Sequence, residues 1–297
     1  MKTLFLLLII SFTLAEQAIT AEFIEQIKSS GATWEVASYE ESIFKGWTID
    51  EVKAMLGTTM DFNNPVTVDT ESDADLSLPE NFDWRDENRK CIHPILDQGK
   101  CGSCWAFAAT EVLSDRFCLK GRDIVLSPQD LVSCDPSNHG CQGGGDITPY
   151  MYMASSGVVS ETCFPYASGD GQRRPCVSKC VRQGEPFTKY YCDGAPIIRA
   201  TIERQKAELY QSGPVSTGFI VYKDFLTYKS GVYYATSKEK LGGHAVKVIG
   251  WGKQDGLNYW LCANSWSESW GDRGFFKIKM EDCNIMERGV SCTPYVK

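Results

Sequence analysis

The chain has 297 residues, a formal net charge of −8 and 13 cysteines. Its length allows one large domain or two modest ones, and its 43% hydrophobic residues exclude an intrinsically disordered protein. The acidic balance, without any basic block, argues against a nucleic-acid partner. So many cysteines indicate disulfides formed in an oxidising compartment, and their odd number leaves at least one thiol unpaired.

The first 15 residues have the composition of a secretory signal peptide. Lys2 is followed by an apolar run over residues 4–10, and the segment ends with the small residue Ala15. The run is too short to span a bilayer, which needs about 20 apolar residues, and no second long run follows. We therefore expect cleavage after Ala15 or Ala18 and export into the secretory pathway, to a lysosome-like vacuole or out of the cell, with no membrane span.

Residues 16–77 differ from the rest of the chain in charge. They hold 13 acidic residues, 3 basic residues and no cysteine, whereas residues 78–297 hold 26 basic residues, 25 acidic residues and every cysteine. Apolar spacing predicts one helix around Phe23–Ile27 and another that begins after an N-cap at Thr48 and ends at Gly57. An acidic, cysteine-free leader before a cysteine-rich body indicates an inhibitory propeptide, with a plain N-terminal subdomain as the alternative.

Within residues 78–297 the helical patterns precede the strand patterns. Residues 104–120 have the composition of a helix that ends at Gly121. Beyond about residue 210, runs of β-branched and aromatic residues alternate with glycine-containing turns. These runs are 215–222, 231–234, 244–251 and 259–263. The pattern predicts an α+β protein with a mostly helical N-terminal lobe and a β-rich C-terminal lobe.

Cys104 is the first candidate for chemistry, because it stands where a glycine-rich turn gives way to the predicted helix. A thiol at a helix N-terminus meets the positive end of the helix dipole and unpaired N–H groups, which lower its pKa and favour a nucleophile. Cys104 also forms a C-x-x-C with Cys101, which is typical of a redox pair or of half a zinc site. No βαβ pattern precedes the motif and no second C-x-x-C follows it, so both alternatives are weaker.

A thiol nucleophile needs a base, and the chain has three histidines, His93, His139 and His244. The first two lie in loop sequences, whereas His244 follows two glycines and enters an apolar strand. Asn264 lies between aromatic residues 20 positions further on. Taken alone, either residue would more often be structural.

The segment 101–105, Cys-Gly-Ser-Cys-Trp, resembles the nucleophile signature of papain-like cysteine proteases. His244 lies 140 residues and Asn264 160 residues after Cys104, close to the spacing of that family. The resemblance is greatest to the cathepsin B branch and covers essentially all of residues 78–297. Further matching phrases are residues 78–83, 97–99, 127–131, 140–144 and 222–233. It implies a papain-like two-lobe fold with the active-site cleft between the lobes, and a monomeric cysteine endopeptidase that acts on proteins or peptides without metal or cofactor.

The resemblance also implies roles for individual residues. Cys104 would be the nucleophile, paired with His244 as thiolate and imidazolium, and Asn264 would orient the imidazole. The Gln98 amide and the Cys104 N–H would form the oxyanion hole. Trp266 would shield the bond between histidine and asparagine. The expected substrate-binding residues are Gly143, Gly144, Asp146, Gly218, Gly243, Ala245, Trp266 and Arg288.

The pocket for the substrate residue second from the cut, on its amino side, differs from the branch. The branch often has a glutamate there that accepts arginine, and this chain has Arg288 instead. Asp146 could restore acceptance of a basic side chain, or it could pair with Arg288 and close the pocket. The sequence leaves both possibilities open.

By analogy with the branch, eight cysteines pair and Cys104 stays free. The implied disulfides are Cys91–Cys118, Cys101–Cys141, Cys134–Cys176 and Cys163–Cys180. Cys262 stands in an apolar strand and is expected to be a buried thiol. Cys283 and Cys292 could pair near the C-terminus, and Cys192 has no assignment.

The chain departs most from the branch between Cys163 and Cys176. The branch usually carries a long occluding loop there, whose adjacent histidines bind the substrate C-terminus. Here 12 residues separate the two cysteines and none is histidine. We therefore expect an open cleft, endopeptidase activity and little carboxydipeptidase activity.

The acidic leader suggests how activation begins. In the family the propeptide runs backwards through the cleft and blocks it, so protonating its carboxylates below about pH 5 should weaken its hold and speed self-processing near residues 75–78. Two other classes of function remain as alternatives. One is an inactive binding protein on this fold, and the other is a thiol–disulfide oxidoreductase that uses Cys101 and Cys104.

Overall fold

The computed structural model describes residues 15–59 and 77–295. Residues 1–14 of the predicted signal peptide and residues 60–76 of the predicted propeptide therefore lie outside the described residues. None of the helices in those two ranges has the length and apolar character needed to cross a membrane.

Over its described residues, up to residue 59, the leader forms two helices and two short strands. These are α1 (Ala21–Ser29), β1 (Glu35–Val36), α2 (Ile49–Met55) and β2 (Thr58–Thr59). Helix α1 is capped by Thr20 and buries Ile24 and Ile27. Helix α2 begins with a capping box in which Thr48 and Glu51 satisfy each other's backbone N–H groups. Both predicted leader helices are present, and the second begins after its predicted cap.

The N-terminal lobe of the body is built around one enclosed helix. Its elements are β3 (Phe82–Asp83), α3 (Trp84–Asn88), α4 (Cys104–Leu119), α5 (Pro128–Cys134), β4 (Gly144–Gly145) and α6 (Thr148–Ser155), with 3-10 turns at Arg89–Cys91 and Gly140–Gln142. Every residue of α4 from Cys104 to Cys118 is buried. A helix that is buried all round is held from every side, so its first residue, Cys104, has a fixed position.

The C-terminal lobe is a mostly antiparallel sheet. Its elements are β5 (Cys192–Arg199), α7 (Ile202–Ser212), β6 (Val215–Tyr222), β7 (Tyr228–Ser230), β8 (Val232–Tyr233), β9 (Lys240–Gln254), β10 (Leu257–Ala263), β11 (Phe275–Lys279) and β12 (Gly289–Pro294), with a 3-10 turn at Lys223–Thr227. The strand order is β5-β12-β6-β9-β10-β11-β8, and β3 also pairs with β9. The α+β fold is therefore as predicted. In the centre of the sheet, β6 pairs with β9 and Phe219 lies opposite His244.

Buried ionic contacts join the two lobes behind the cleft. Arg116 of α4 is 1% exposed and forms an ion pair of 2.9 Å with Glu208 of α7. Its guanidinium also donates to the carbonyl oxygens of Gly213 and Pro214, just before β6. Lys247 of β9 lies 2.7 Å from Asp115 of α4. These contacts fix the helix that begins at the thiol against the strand that carries His244.

The described residues contain five disulfides. They are Cys91–Cys118, Cys101–Cys141, Cys134–Cys176, Cys163–Cys180 and Cys192–Cys292. The first four are the pairs that the resemblance implies.

The fifth disulfide corrects the expected pairing of Cys283 with Cys292, which is wrong. Cys292 pairs with Cys192, because the neighbouring strands β12 and β5 bring their Cα atoms within 5.7 Å. Cys283 is a free, buried thiol that donates to the Asp282 carboxylate, and Cys262 is buried and free as expected.

Candidate active site

Cys104 is the first residue of α4 and has no exposed surface. Burial raises the pKa of its thiol. The positive charge of the His244 side chain and hydrogen bonds from Thr58 and from the backbone of Ala245 oppose this effect and bring the pKa down to about 7. A thiol with this pKa is substantially ionised near neutral pH, as a sulfur nucleophile requires.

His244 lies on β9 and is completely buried. Its Nε2 lies 2.7 Å from Oδ1 of Asn264, and this oxygen also accepts the backbone N–H of Ser265 at 2.8 Å. The Ser265 N–H donates to this atom, which identifies it as the amide oxygen of Asn264. Because an amide oxygen only accepts hydrogen bonds, Nε2 carries the proton. Within residues 15–59 and 77–295, Nδ1 has no hydrogen-bond partner, which leaves it as the nitrogen that can serve the thiol.

Two aromatic rings enclose the His244 imidazole. The Trp266 indole lies at 4.7 Å between ring centroids with an interplanar angle of 30°, and Phe219 lies at 5.7 Å. Trp266 is 1% exposed. Water is thereby kept from the bond between His244 and Asn264, and a low local dielectric strengthens that bond. The pairing of β6 with β9 brings Phe219 here, and no local sequence motif announced it.

Gln98 is completely buried, and hydrogen bonds at both ends fix its side-chain amide. Oε1 accepts the Ser265 hydroxyl at 2.7 Å, so the NH2 group faces the other way. That NH2 group donates to the carbonyl oxygens of Cys101 and Met55, at 2.8 Å each. Ser265 was not singled out in the sequence, although it lies next to Asn264. It determines the direction in which Gln98 donates.

The leader occupies the space beside the thiol. The Thr58 hydroxyl lies 3.0 Å from the Cys104 sulfur, and the Gly57 carbonyl accepts the N–H of Gly144 at 2.8 Å. Strand β2 pairs in parallel with β4. A Cβ atom on Gly57 would lie 1.9 Å from the carbonyl oxygen of Gly102, so only glycine fits at position 57 with this backbone path. The contacts of Met55 and Thr58 explain why both Gln98 and Cys104 are buried.

The predicted substrate-binding glycines lie on both sides of this segment. Gly144 pairs with the leader strand, and Gly143 immediately precedes it. On the sheet side Gly218 lies opposite Ala245, and Ala245 packs against Cys104. Gly243 pairs with β6. The leader does not approach Gly243 but its neighbour Gly242, beside which the Leu56 side chain lies.

Asp146 and Arg288 form a two-point ion pair. The Arg288 Nε lies 2.5 Å from one oxygen of Asp146, and Nη2 lies 3.2 Å from the other. Their side chains are 11% and 13% exposed. Together with Gly144 and Gly145 they line a cavity of about 340 Å³ that the leader enters with Thr59. Of the two possibilities for Asp146, the structure shows the one in which it pairs with Arg288.

The C-x-x-C motif does not form a bonded pair. Cys101 is bonded to Cys141, while Cys104 is free. A thiol–disulfide oxidoreductase of the C-x-x-C type needs its two cysteines to bond to each other. The observed disulfide therefore disfavours a thiol–disulfide oxidoreductase that uses Cys101 and Cys104.

Known proteins resemble this chain over nearly its whole length. Residues 78–293 match the family model described as papain family cysteine protease. "Cathepsin B-like protease 1" of Arabidopsis thaliana is 35% identical, over 100% of this chain and 93% of that protein. "Cathepsin B-like CP2" of Giardia intestinalis is 34% identical, over 96% of this chain and 97% of that protein.

Solved structures resemble the chain with its leader included. "ProCathepsin B S9 from Trypanosoma congolense" has a TM-score of 0.86 and 31% identity, covering 95% of this chain and 100% of that one. A digestive procathepsin L2 from Tenebrio molitor has a TM-score of 0.73 and 26% identity, covering 92% of this chain and 88% of that one. Both neighbours are proenzymes by their descriptions.

Proposed function

Because the chain belongs to the papain family of cysteine proteases and has cathepsin B-like relatives, we propose that it is the zymogen of an endopeptidase that acts through Cys104 and His244. One observation carries the proposal. The leader holds a peptide carbonyl, that of Met55, on the Gln98 amide, and a hydroxyl, that of Thr58, on the Cys104 sulfur. A peptide substrate would present its carbonyl to the same two groups.

The proposed mechanism uses each polar contact of the site. The Cys104 thiolate attacks the peptide carbonyl carbon, and the oxyanion is stabilised by the Gln98 amide and the Cys104 N–H. The His244 imidazolium gives its proton to the leaving amine, and a thioester remains on the enzyme. The neutral imidazole then takes a proton from water, which attacks the thioester and releases the acid. Asn264 holds the ring in position through Nε2.

Substitutions at these residues test the mechanism. Cys104→Ala should abolish cleavage of an internally quenched peptide and labelling by a cysteine-reactive epoxide. Gln98→Ala should lower kcat by about 10²- to 10³-fold, since it removes one oxyanion donor. Ser265→Ala should act in the same direction with a smaller effect, because it only frees the Gln98 amide to rotate. A processed chain that neither cleaves peptides nor reacts with the epoxide would instead be an inactive binding protein.

The loop between Cys163 and Cys176 supports an open cleft. Disulfides hold both of its ends. Within it the Tyr166 hydroxyl donates to the Gln98 carbonyl and the Gly169 carbonyl accepts the Lys100 N–H, each at 2.8 Å. A short loop tied down in this way favours endopeptidase over carboxydipeptidase activity. If peptides with a free C-terminus lose dipeptides processively at a rate that matches internal cleavage, this part of the proposal is wrong.

The ion pair of Asp146 and Arg288 suggests a preference for uncharged side chains in the pocket that serves the residue second from the cut. Each partner neutralises the other, so neither is free to bind a charged substrate side chain. Asp146→Ala would leave Arg288 unpaired, and acceptance of glutamate relative to leucine should rise by about tenfold. Acceptance of arginine should fall further. Profiling of both enzymes with leucine, arginine and glutamate at this position measures the change.

We also propose the division of the chain into a signal peptide (1–15), an inhibitory propeptide (16–77) and a protease domain (78–297), with export to a vacuole or out of the cell. The contacts of Met55 and Thr58 with the body support the inhibitory role of the leader. N-terminal sequencing of the active enzyme tests the boundary, and we expect a new N-terminus at residues 75–78. An active enzyme that retains α2 would contradict the division.

A further inference from the structure

Lys100 stands two residues after Gln98 and holds a carboxylate of the leader. Its Nζ lies 2.6 Å from Oε1 of Glu51 and 5.0 Å from the centroid of the Trp47 ring. The Lys100 side chain is 50% exposed even so. Hydrogen bonds from Lys100 and from the Thr48 backbone lower the pKa of Glu51 to about 2. The Lys100 ammonium of the body thus binds the Glu51 carboxylate of the leader.

No carboxylate of the body competes for Lys100 in the part of the chain that the structure describes. The nearby loop carries two arginines, and both are engaged elsewhere. Arg174 pairs with Asp170 at 2.6 Å, and Arg173 donates to the Ser133 carbonyl at 2.8 Å. Once the leader has left, Lys100 is therefore an exposed cation beside Gln98 for which the described residues of the body form no ion pair.

The leader also gives the distance of Lys100 from the scissile bond. Glu51 precedes Met55, whose carbonyl lies on Gln98, by four residues of helix α2. A helix rises 1.5 Å per residue, so the two residues are about 6 Å apart along the axis. An extended peptide advances about 3.3 Å per residue, so the same distance corresponds to about two substrate residues.

The direction along the cleft follows from the other end of the leader. From Glu51 the leader passes Gln98 and then Cys104, and it reaches the cavity of Asp146 and Arg288 with Thr59. That cavity is the proposed pocket for a residue on the amino side of the cut. Lys100 therefore lies on the carboxyl side.

We propose that Lys100 forms a carboxylate-binding subsite for the second substrate residue after the scissile bond. The inference rests on the proposed protease function. The carboxylate belongs either to an aspartate or glutamate side chain or to the C-terminus of a substrate that ends at this residue. Both sources present the same anion at the same distance, and two sets of peptides distinguish them.

The first set contains internally quenched peptides that differ only in having glutamate, glutamine or lysine at the second position after the cut. The enzyme is matured from the full-length chain. We expect kcat/KM for glutamate to exceed that for glutamine by about twofold to fivefold at low salt, as for an exposed ion pair, and the ratio to shrink as salt is added. Lys100→Met should bring the ratio to one, and Lys100→Glu should reverse it in favour of lysine. Lys120→Met, at an exposed lysine where α4 ends, is the matched control and should keep the wild-type ratio.

The second set contains peptides that end two residues after the cut, with either a free carboxylate or an amide. A preference for the free carboxylate that disappears in Lys100→Met identifies terminal carboxylates as the ligand, whereas a preference confined to the first set identifies side chains. Ratios of one in both sets, or ratios that neither Lys100 variant changes, overturn the inference alone. An enzyme that cleaves none of the peptides, the neutral ones included, overturns the proposed function and this inference with it.

Discussion

The leader contacts the body in two regions that differ in chemistry. In the docking region, residues 34–41, strand β1 pairs with β7 and Trp34 packs against Tyr228 and Tyr233 at centroid distances of 6.1 and 5.2 Å. In the cleft segment, residues 55–59, the polar contacts are made by main-chain groups and by one hydroxyl, and the side chains of Met55 and Leu56 are buried. The docking region is thus built on an aromatic contact, whereas the cleft segment covers the thiol.

Charge separates the two regions further. Around the docking region, exposed carboxylates of the leader meet lysines of the body, with Glu35 and Glu41 on Lys229 and Glu16 on Lys223. The cleft segment contains no charged residue. Acid can therefore weaken the docking region directly, whereas the cleft segment has no group that titrates in acid. We therefore expect acid to detach the docking region before the cleft segment leaves Cys104.

The largest expected effect comes from Trp34, which is 3% exposed. Trp34→Ala removes the central ring of the docking region, and loss of a buried tryptophan costs about 3–5 kcal/mol. The leader should therefore detach about 10² to 4 × 10³ times more often. In a Cys104→Ser chain, which cannot process itself, hydrogen exchange of the β1 amides measures this change.

The control for Trp34→Ala is Met151→Ala, at an apolar side chain that is 57% exposed on α6. It should leave the exchange of the β1 amides unchanged. If Trp34→Ala also leaves it unchanged, the docking region does not anchor the leader and the comparison fails.

The next effect is the response to acid. A hydrogen bond from Lys223 and its charge lower the pKa of Glu16, and hydrogen bonds from Ser230 and Lys229 lower that of Glu35. For Glu41, hydrogen bonds within the leader lower the pKa first, and the charge of Lys229 adds to them. The pKa of each carboxylate is thus lower when the leader is docked than when it is free. Such a group stabilises docking fully at a pH above its ordinary pKa of 4.5, and this contribution is lost as the pH falls below 4.5. The leader should therefore begin to open near pH 4.5 and continue to open as the pH falls.

A triple variant tests this source of the acid response. Changing Glu16, Glu35 and Glu41 to Gln should open the leader several-fold at pH 7 and flatten its response between pH 5 and pH 3. The matched triple changes Glu22, Glu25 and Glu40 to Gln, which removes the same charge at residues that form no described contact with the body. It should keep the wild-type response, and equal behaviour of the two triples would contradict the account.

The smallest effect concerns the cleft segment. Thr58→Val keeps the shape of the side chain and removes the hydroxyl that lies 3.0 Å from the Cys104 sulfur. The hydrogen bond is worth about 1 kcal/mol, so the pKa of Cys104 should rise from about 7 by less than one unit. Thiolate absorbance of the full-length chain measures this against a Cys104→Ser blank. Thr59→Val is the control. A pKa that falls in Thr58→Val would mean that the hydroxyl accepts a hydrogen bond from the thiol, and a pKa that stays fixed would mean that the contact does not affect the thiol; either result contradicts the account.

Local patterns predicted the elements well. The glycine-rich turn before Cys104 marked the start of α4, and the run of β-branched residues over 215–222 became β6 without a shift. The same holds for α2, whose cap at Thr48 is a local feature. Interactions between neighbouring residues decide such elements, so a short window of sequence suffices.

Contacts between distant segments were not predictable from local patterns. Cys192 and Cys292 are 100 residues apart and meet because β5 and β12 pair, which no cysteine spacing reveals. The choice between two roles for Asp146 needed the position of Arg288, 142 residues away. The contact of Thr58 with Cys104 likewise depends on the path of the leader. In the sequence Gly57 indicated only the end of a helix, and its close approach to Gly102 is visible only in the structure.

The central claim is that the leader covers Cys104 until the chain is processed, and epoxide labelling of the full-length chain at pH 7 tests it most directly. The account predicts that Cys104 is labelled at least about 100 times more slowly before processing than after it, because labelling must wait for the leader to open. Cys262 and Cys283 should stay unlabelled throughout, since burial raises the pKa of both thiols. Labelling of Cys104 at the mature rate in a chain whose β1 amides remain protected would contradict the claim.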